Sequence, residues 1–98
     1  MTADRDDVIR LTGRLTVKEV PSVYRQRLHW RDDGPPKRID LSGLEASDSS
    51  AVALLLEWKQ WARRAGRDVR FDNPPEALRT IAGLSQADAL LGWAQEDS

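Results

Sequence analysis

Residues 39–56 read Ile39-Asp40-Leu41-Ser42-Gly43-Leu44-Glu45-Ala46-Ser47-Asp48-Ser49-Ser50-Ala51-Val52-Ala53-Leu54-Leu55-Leu56. Ile39 and Leu41 alternate with polar neighbours, the period of a half-buried strand, predicted over Lys37 to Leu41. A loop over Gly43 to Ser47 follows. It ends in Asp48-Ser49-Ser50 at the mouth of an apolar helix. Asp48 or Ser49 is the expected N-cap, contributing about 1 kcal/mol. The helix is expected to reach about Ala65, with Gly66 placed to follow its C-cap. Its first turns are apolar on every side and must be covered. After Trp58 the pattern turns amphipathic, with Trp58, Trp61, Ala62 and Ala65 sharing one face. Trp58 and Trp61 are therefore read as core.

The same alternation of strand and helix extends in both directions. Val8 to Leu15 carries Ile9, Leu11 and Leu15 at strand period, and Gly13 within it predicts a bulge or close backbone approach. Thr16-Val17-Lys18-Glu19 has the form of a capping box. A helix carrying Val17, Val20, Tyr24 and Leu28 is expected to run from there to near Trp30, with Pro21 tolerated in its first turn. Asp32-Asp33-Gly34-Pro35-Pro36 is loop punctuation. On the C-terminal side, Arg67 to Phe71 reads as a third strand, with Val69 and Phe71 inward. Asn73-Pro74-Pro75-Glu76 reads as a helix start with proline in the first turn. Leu78, Ile81, Ala82 and Leu84 form that helix's apolar side, and Leu90, Leu91 and Trp93 are expected to fold back onto the body. The order β-α-β-α-β-α implies an α/β fold with a largely parallel sheet of three to four strands and helices packed on it.

A chain of 98 residues has room for one domain, taken as 1–98, with 1–6 and 94–98 expected to be poorly ordered ends. Fifteen Lys/Arg against sixteen Asp/Glu leave a formal charge of -1, which argues against a nucleic-acid partner. Arg63, Arg64, Arg67 and Arg70 read as a solvated helix end. The absence of cysteine excludes disulfides, thiolate catalysis and cysteine zinc sites. The first residues are polar and acidic, unlike a secretory signal, and Ala51 to Leu56 is far too short to span a membrane. A cytoplasmic location is expected.

Catalysis has no support in the sequence. The single histidine, His29, reads as a helix-end surface residue. No phosphate-binding glycine motif, Gly-x-Ser-x-Gly or cluster of metal ligands occurs, so no catalytic residue, metal or cofactor is expected. Asp48-Ser49-Ser50 is left as the candidate site. Small groups at a helix mouth leave backbone accessible to another protein. A phosphate there would be favoured by the helix dipole. It would also add about two negative charges to a contact surface already carrying Glu45 and Asp48. Such a modification would disrupt docking without unfolding the domain.

These residues resemble the STAS family, the domain of bacterial anti-sigma factor antagonists and related modules. The resemblance rests on Leu11-Thr12-Gly13-Arg14-Leu15-Thr16, on Ile39-Asp40-Leu41-Ser42-Gly43-Leu44 and on Asp48-Ser49-Ser50-Ala51-Val52. It covers roughly residues 7 to 93, and Pro21 sits where relatives often carry proline. The chain is most similar to the small stand-alone STAS subunits of the Mla phospholipid-transport system. This implies a non-enzymatic subunit that binds and supports the cytoplasmic ATPase of an ABC transporter maintaining outer-membrane lipid asymmetry. Contact with the membrane would then be indirect, through that partner at the inner membrane.

In that subgroup the hydroxyl after the Asp lies at the partner contact, which maps to Ser49. In sigma regulators the phosphorylated serine is the second, which maps to Ser50, and the partner is an anti-sigma factor kinase. That role is the alternative. Thr16 replaces the family's acidic residue and Ala51 its glycine, which both weigh against a sigma regulator. Residues Met1 to Asp6 leave little chain for the family's extra leading strand. The implied docking surface comprises Leu44, Glu45, Asp48, Ser49, Ser50, Ala51 and Val52, with Ser50 and Ser49 as phosphoacceptors. The helix after Pro75 is a candidate extension, and the sheet edge offers a route to a homodimer.

Overall fold

The computed structural model describes residues 8–93. Its elements are β1 (Val8–Leu15), α1 (Val20–Gln26), α2 (Trp30–Asp33), β2 (Arg38–Ser47), α3 (Ser49–Arg64), β3 (Arg70–Asp72) and α4 (Glu76–Leu84). All strand pairs are parallel, in the order β1-β2-β3. The expected α/β arrangement is present. The expectations for the ends at 1–6 and 94–98, and for a leading strand, fall outside the described residues.

One face of the sheet is core. Leu11 and Leu15 of β1, Ile39, Leu41 and Leu44 of β2, and Phe71 of β3 are all buried, and the helices pack over them. The other face carries Arg10, Arg14, Arg38, Asp40, Arg70 and Asp72, joined by ion pairs. Arg38 meets Asp72 at 2.9 Å, Arg70 meets Asp72 at 3.4 Å and Arg10 meets Asp40 at 3.9 Å. Parallel sheets usually have both faces covered. Here charge substitutes for a second layer.

The strand β2 corrects the sequence reading. The predicted loop over Gly43 to Ser47 is strand, paired with β1 as far as Leu15 opposite Ser47. Between Arg10–Asp40 and Thr12–Gly43, β1 advances two residues while β2 advances three. A second extra residue enters between Gly13–Leu44 and Arg14–Ala46. These bulges move the inward positions from Ile39 and Leu41 to Leu44, a spacing of three that hides the strand from a period-two reading. Gly13 lies between the two irregularities with φ 84, as its glycine suggested.

Gly43 sits where the strands press together. A Cβ there would lie 2.7 Å from Thr12 Cγ2 and 2.8 Å from the Leu11 carbonyl oxygen. The carbonyl cannot swing aside, so Gly43→Ala must force the strands apart. We expect a loss of about 1–3 kcal/mol, the range for overpacking, seen as a lower urea midpoint at unchanged slope.

The first crossover also differs from expectation. The Thr16–Glu19 box forms, but it closes a turn, and α1 begins only at Val20. Thr16 N–H donates to Glu19 Oε1 at 2.9 Å, and Lys18 N–H donates to Thr16 Oγ1 at 3.3 Å. Val17, expected on the helix's apolar face, is instead 66% exposed. The single helix to Trp30 is divided at Arg27–His29, where Leu28, Trp30 and Arg31 switch to three-residue hydrogen bonds. In an unbroken helix Leu28 and Trp30 would project about 200° apart. The break lets both turn toward the body, and Trp30 packs edge-on against Trp58 with centroids 4.9 Å apart. Arg27 covers the Trp30 ring at 4.9 Å.

Helix α3 matches its prediction. Asp48 caps it, and its C-terminus closes with Gly66 N–H to the Arg63 carbonyl and Arg67 N–H to the Ala62 carbonyl. Because Arg67 serves this cap, β3 starts at Arg70, later than the predicted Arg67. Trp58 and Trp61 are fully buried, and Trp61 donates to Glu57 Oε2 at 3.1 Å. Pro75 is the N-cap of α4, just before its first turn. Leu78 and Ala82 are buried, but Leu84, expected on that apolar side, is 81% exposed. Leu91 and Trp93 return to the core, with Trp93 Nε1 donating to the Phe71 carbonyl at 2.9 Å. Leu90, expected to accompany them, is 57% exposed.

Candidate functional site

The end of β2 delivers the chain to Asp48 in extended conformation, with φ -143, so its carboxylate turns back over the first turn of α3. Oδ1 accepts from the Ser50 N–H at 2.9 Å and also from the Ser50 hydroxyl. Oδ2 accepts from the Val17 N–H at 2.9 Å. One carboxylate thus caps the helix and ties it to the β1–α1 turn, across 31 residues of sequence. The Ser50 hydroxyl foremost, then the Val17 N–H, holds the Asp48 carboxyl below its ordinary 3.8. Beside it, the Thr16 hydroxyl and N–H lower the Glu19 carboxyl in the same way.

The seven predicted contact residues divide into two groups. Glu45 and Ser49 are exposed, and Asp48 and Ser50 are half-buried, so these four present atoms at the surface. Leu44, Ala51 and Val52 are buried in the core and face away from any visitor. Their apolar character builds the fold beneath the site and does not form its contact surface. The two serines differ as well. Ser50 spends its hydroxyl on Asp48, whereas the Ser49 hydroxyl has no hydrogen-bond partner among the described residues. His29 is exposed at the start of α2, far in the chain from this mouth.

Sequence reasoning missed Val17 and Lys18, which the Asp48 bond brings to the helix mouth. It also missed a groove beside Ser50, between α1 and α3. The one sequence signal for Val17 was an apolar residue inside a capping box, which points outward when the box closes a turn. Chemically, the site offers an uncommitted hydroxyl, a small helix N-terminus and an exposed aliphatic side chain. That combination suits recognition of a folded surface.

Among the described residues, no group of three or more His, Cys, Asp or Glu could hold a metal ion. No described helix is long and apolar enough to cross a membrane. No curated protein matches the chain significantly. The family described as "Mlab, STAS domain" matches residues 1–92. With its parallel sheet, its bulged second strand and an Asp-capped helix opening on two serines, the chain belongs to the STAS domain family and is most like its MlaB-type members.

Proposed function

We propose that this domain is a non-enzymatic docking subunit that binds and supports the cytoplasmic ATPase of an Mla-type phospholipid ABC transporter. Family membership supports an interaction or regulatory role. The observation that carries the finer reading is the inequality of the two serines. Ser49 is exposed with its hydroxyl uncommitted, on a helix start that Asp48 caps without it. A hydroxyl that makes no bond within the fold at such a position is available to a partner, and in the transporter subgroup this is the contact hydroxyl. Such a partner would hold the domain at the inner membrane without the domain itself entering the lipid.

The alternative, an anti-sigma factor antagonist phosphorylated by its kinase partner, draws on Ser50. A phosphate on that oxygen would stand against the Asp48 carboxylate and break the bond that fixes the helix mouth. It would loosen the fold locally as well as block docking, so a switch confined to the surface fits Ser49 better.

The test is purification of the tagged chain from its native host. Recovery of a transporter ATPase is the expected result; recovery of a sigma-regulating kinase without an ATPase would reject the reading. Ser49→Arg should abolish capture while changing stability by no more than about 0.5 kcal/mol, the range typical of surface substitutions. Ser50→Asp should lower the melting temperature, because it places a second carboxylate beside Asp48.

A further inference from the structure

We infer that the groove between α1 and α3 is the second half of the docking surface, and that it receives a short amphipathic helix of the partner, apolar on one face and flanked by Arg or Lys. This rests on the docking reading above and names the partner segment. Helix α1 contributes no buried residue, and its apolar side chains are only partly buried. It meets α3 through Tyr24, whose ring lies 5.5 Å from that of Trp61, and leaves beside this contact an open groove of 380 Å³ lined by Val20, Tyr24, Ser50, Ala53, Leu54 and Glu57. Ser50 is adjacent to Ser49, so the groove continues directly from the helix mouth. Ala53 is exposed between buried Val52 and Leu54, and its methyl group is what keeps the groove open.

The charge of the lining decides the occupant. Glu57 is its only charged residue, and no Lys or Arg lines it. Glu57 gives one oxygen to Trp61 and keeps the other available. Asp48, bonded to Ser50 and Val17, lies about two turns back along α3 at the opposite end and outside the lining, so Glu57 alone sets the charge of the groove. An apolar channel with a single carboxylate on its rim complements an apolar helix face flanked by a cation. The seven residues of α1 span about 10 Å, which limits the guest to about two turns. The trough around Leu90 has the opposite charge, with Lys59 and Arg63 in its wall, and so serves as the control.

The experiment places a photo-crosslinking benzoylphenylalanine singly at Tyr24, where it replaces an aromatic ring of the groove wall, at exposed Val17 beside the helix mouth, and at Leu90 of the full chain in host cells. The same protein is expected to be captured from Tyr24 and Val17 and not from Leu90. Its crosslinked peptide from Tyr24 should be helical and contain Lys or Arg. Capture of a non-ATPase from both sites keeps the groove and overturns the transporter reading. Capture from Val17 without Tyr24 overturns the groove alone. Capture from neither overturns both, and an acidic crosslinked peptide overturns the charge assignment. Glu57→Gln retains the acceptor for Trp61 and should weaken the captured partner's affinity by about tenfold, with reduced salt sensitivity. Unchanged affinity would likewise reject the assignment.

Discussion

Trp58→Ala is expected to bring this domain to the edge of unfolding at room temperature. Trp58 is fully buried, and its ring meets Trp30 edge-on at the junction of α2 with α3. Removing a buried Trp costs about 3–5 kcal/mol in lost burial and residual cavity. A domain of this size has about 5–15 kcal/mol in total, and small domains lie toward the lower end. Trp30 and the Arg27 guanidinium stacked on it would lose their support together. Thermal unfolding by circular dichroism should show a midpoint at least 10 °C lower, by the usual conversion of about 4–8 °C per kcal/mol. Trp58→Phe provides the internal comparison. The Trp58 Nε1 has no hydrogen-bond partner, so phenylalanine loses volume without losing a bond. A phenylalanine variant as unstable as the alanine variant would refute this account of the packing.

The second large effect is at Asp48, where stability and docking are expected to fall together. Asp48→Ala removes the α3 cap and releases Val17 from the helix mouth. Loss of a cap costs about 0.5–2 kcal/mol, and the upper part of that range is expected because both oxygens are engaged. Asp48→Asn separates the two roles. Its amide oxygen can still cap the helix, but its NH₂ would face the Val17 N–H, so the cap survives while the tie to the turn is lost. The pH dependence has a definite sign. Because folding lowers the Asp48 pKa below 3.8, its contribution is fully present above that value and fades as pH falls through the folded-state pKa. Wild type and Asp48→Ala should therefore differ at neutral pH and converge in acid. A difference that grows in acid would contradict the assigned bonds. Partner affinity should fall further than the stability loss alone predicts, since Val17 and Lys18 would no longer be held beside Ser49.

Much of the fold was legible because hydrophobic period and capping chemistry are local. Leu11 and Leu15, Ile39 and Leu41, and Phe71 announce their strands, and Asp48 with Gly66 brackets α3. What stayed hidden is non-local. The extension of β2 through Ser47 depends on two inserted residues that make sense only against β1. The break in the first crossover depends on Trp30 reaching Trp58, a demand set 28 residues away. Leu84 and Leu90 satisfied apolar patterns yet ended in solvent, Leu84 as the last residue of the nine-residue α4 and Leu90 in the turn beyond it, where the inward positions go to Ala87, Leu91 and Trp93. The candidate site followed the same division. Its serines and cap were readable from three letters. The bond from Val17 to Asp48, the burial of Leu44, Ala51 and Val52, and the groove beside α1 all required the chain to be folded first.

The bare side of the sheet has a consequence of its own. Arg38 and Arg70 stand side by side on neighbouring strands, and Arg10, Asp40 and Asp72 form the next row of this face across all three. Such a mosaic keeps water on a surface that would otherwise invite lamination of one molecule on another. It also leaves the proposed docking side free to carry exposed Val17 and an apolar channel, since adhesiveness on one flank is tolerable only while the opposite flank stays inert.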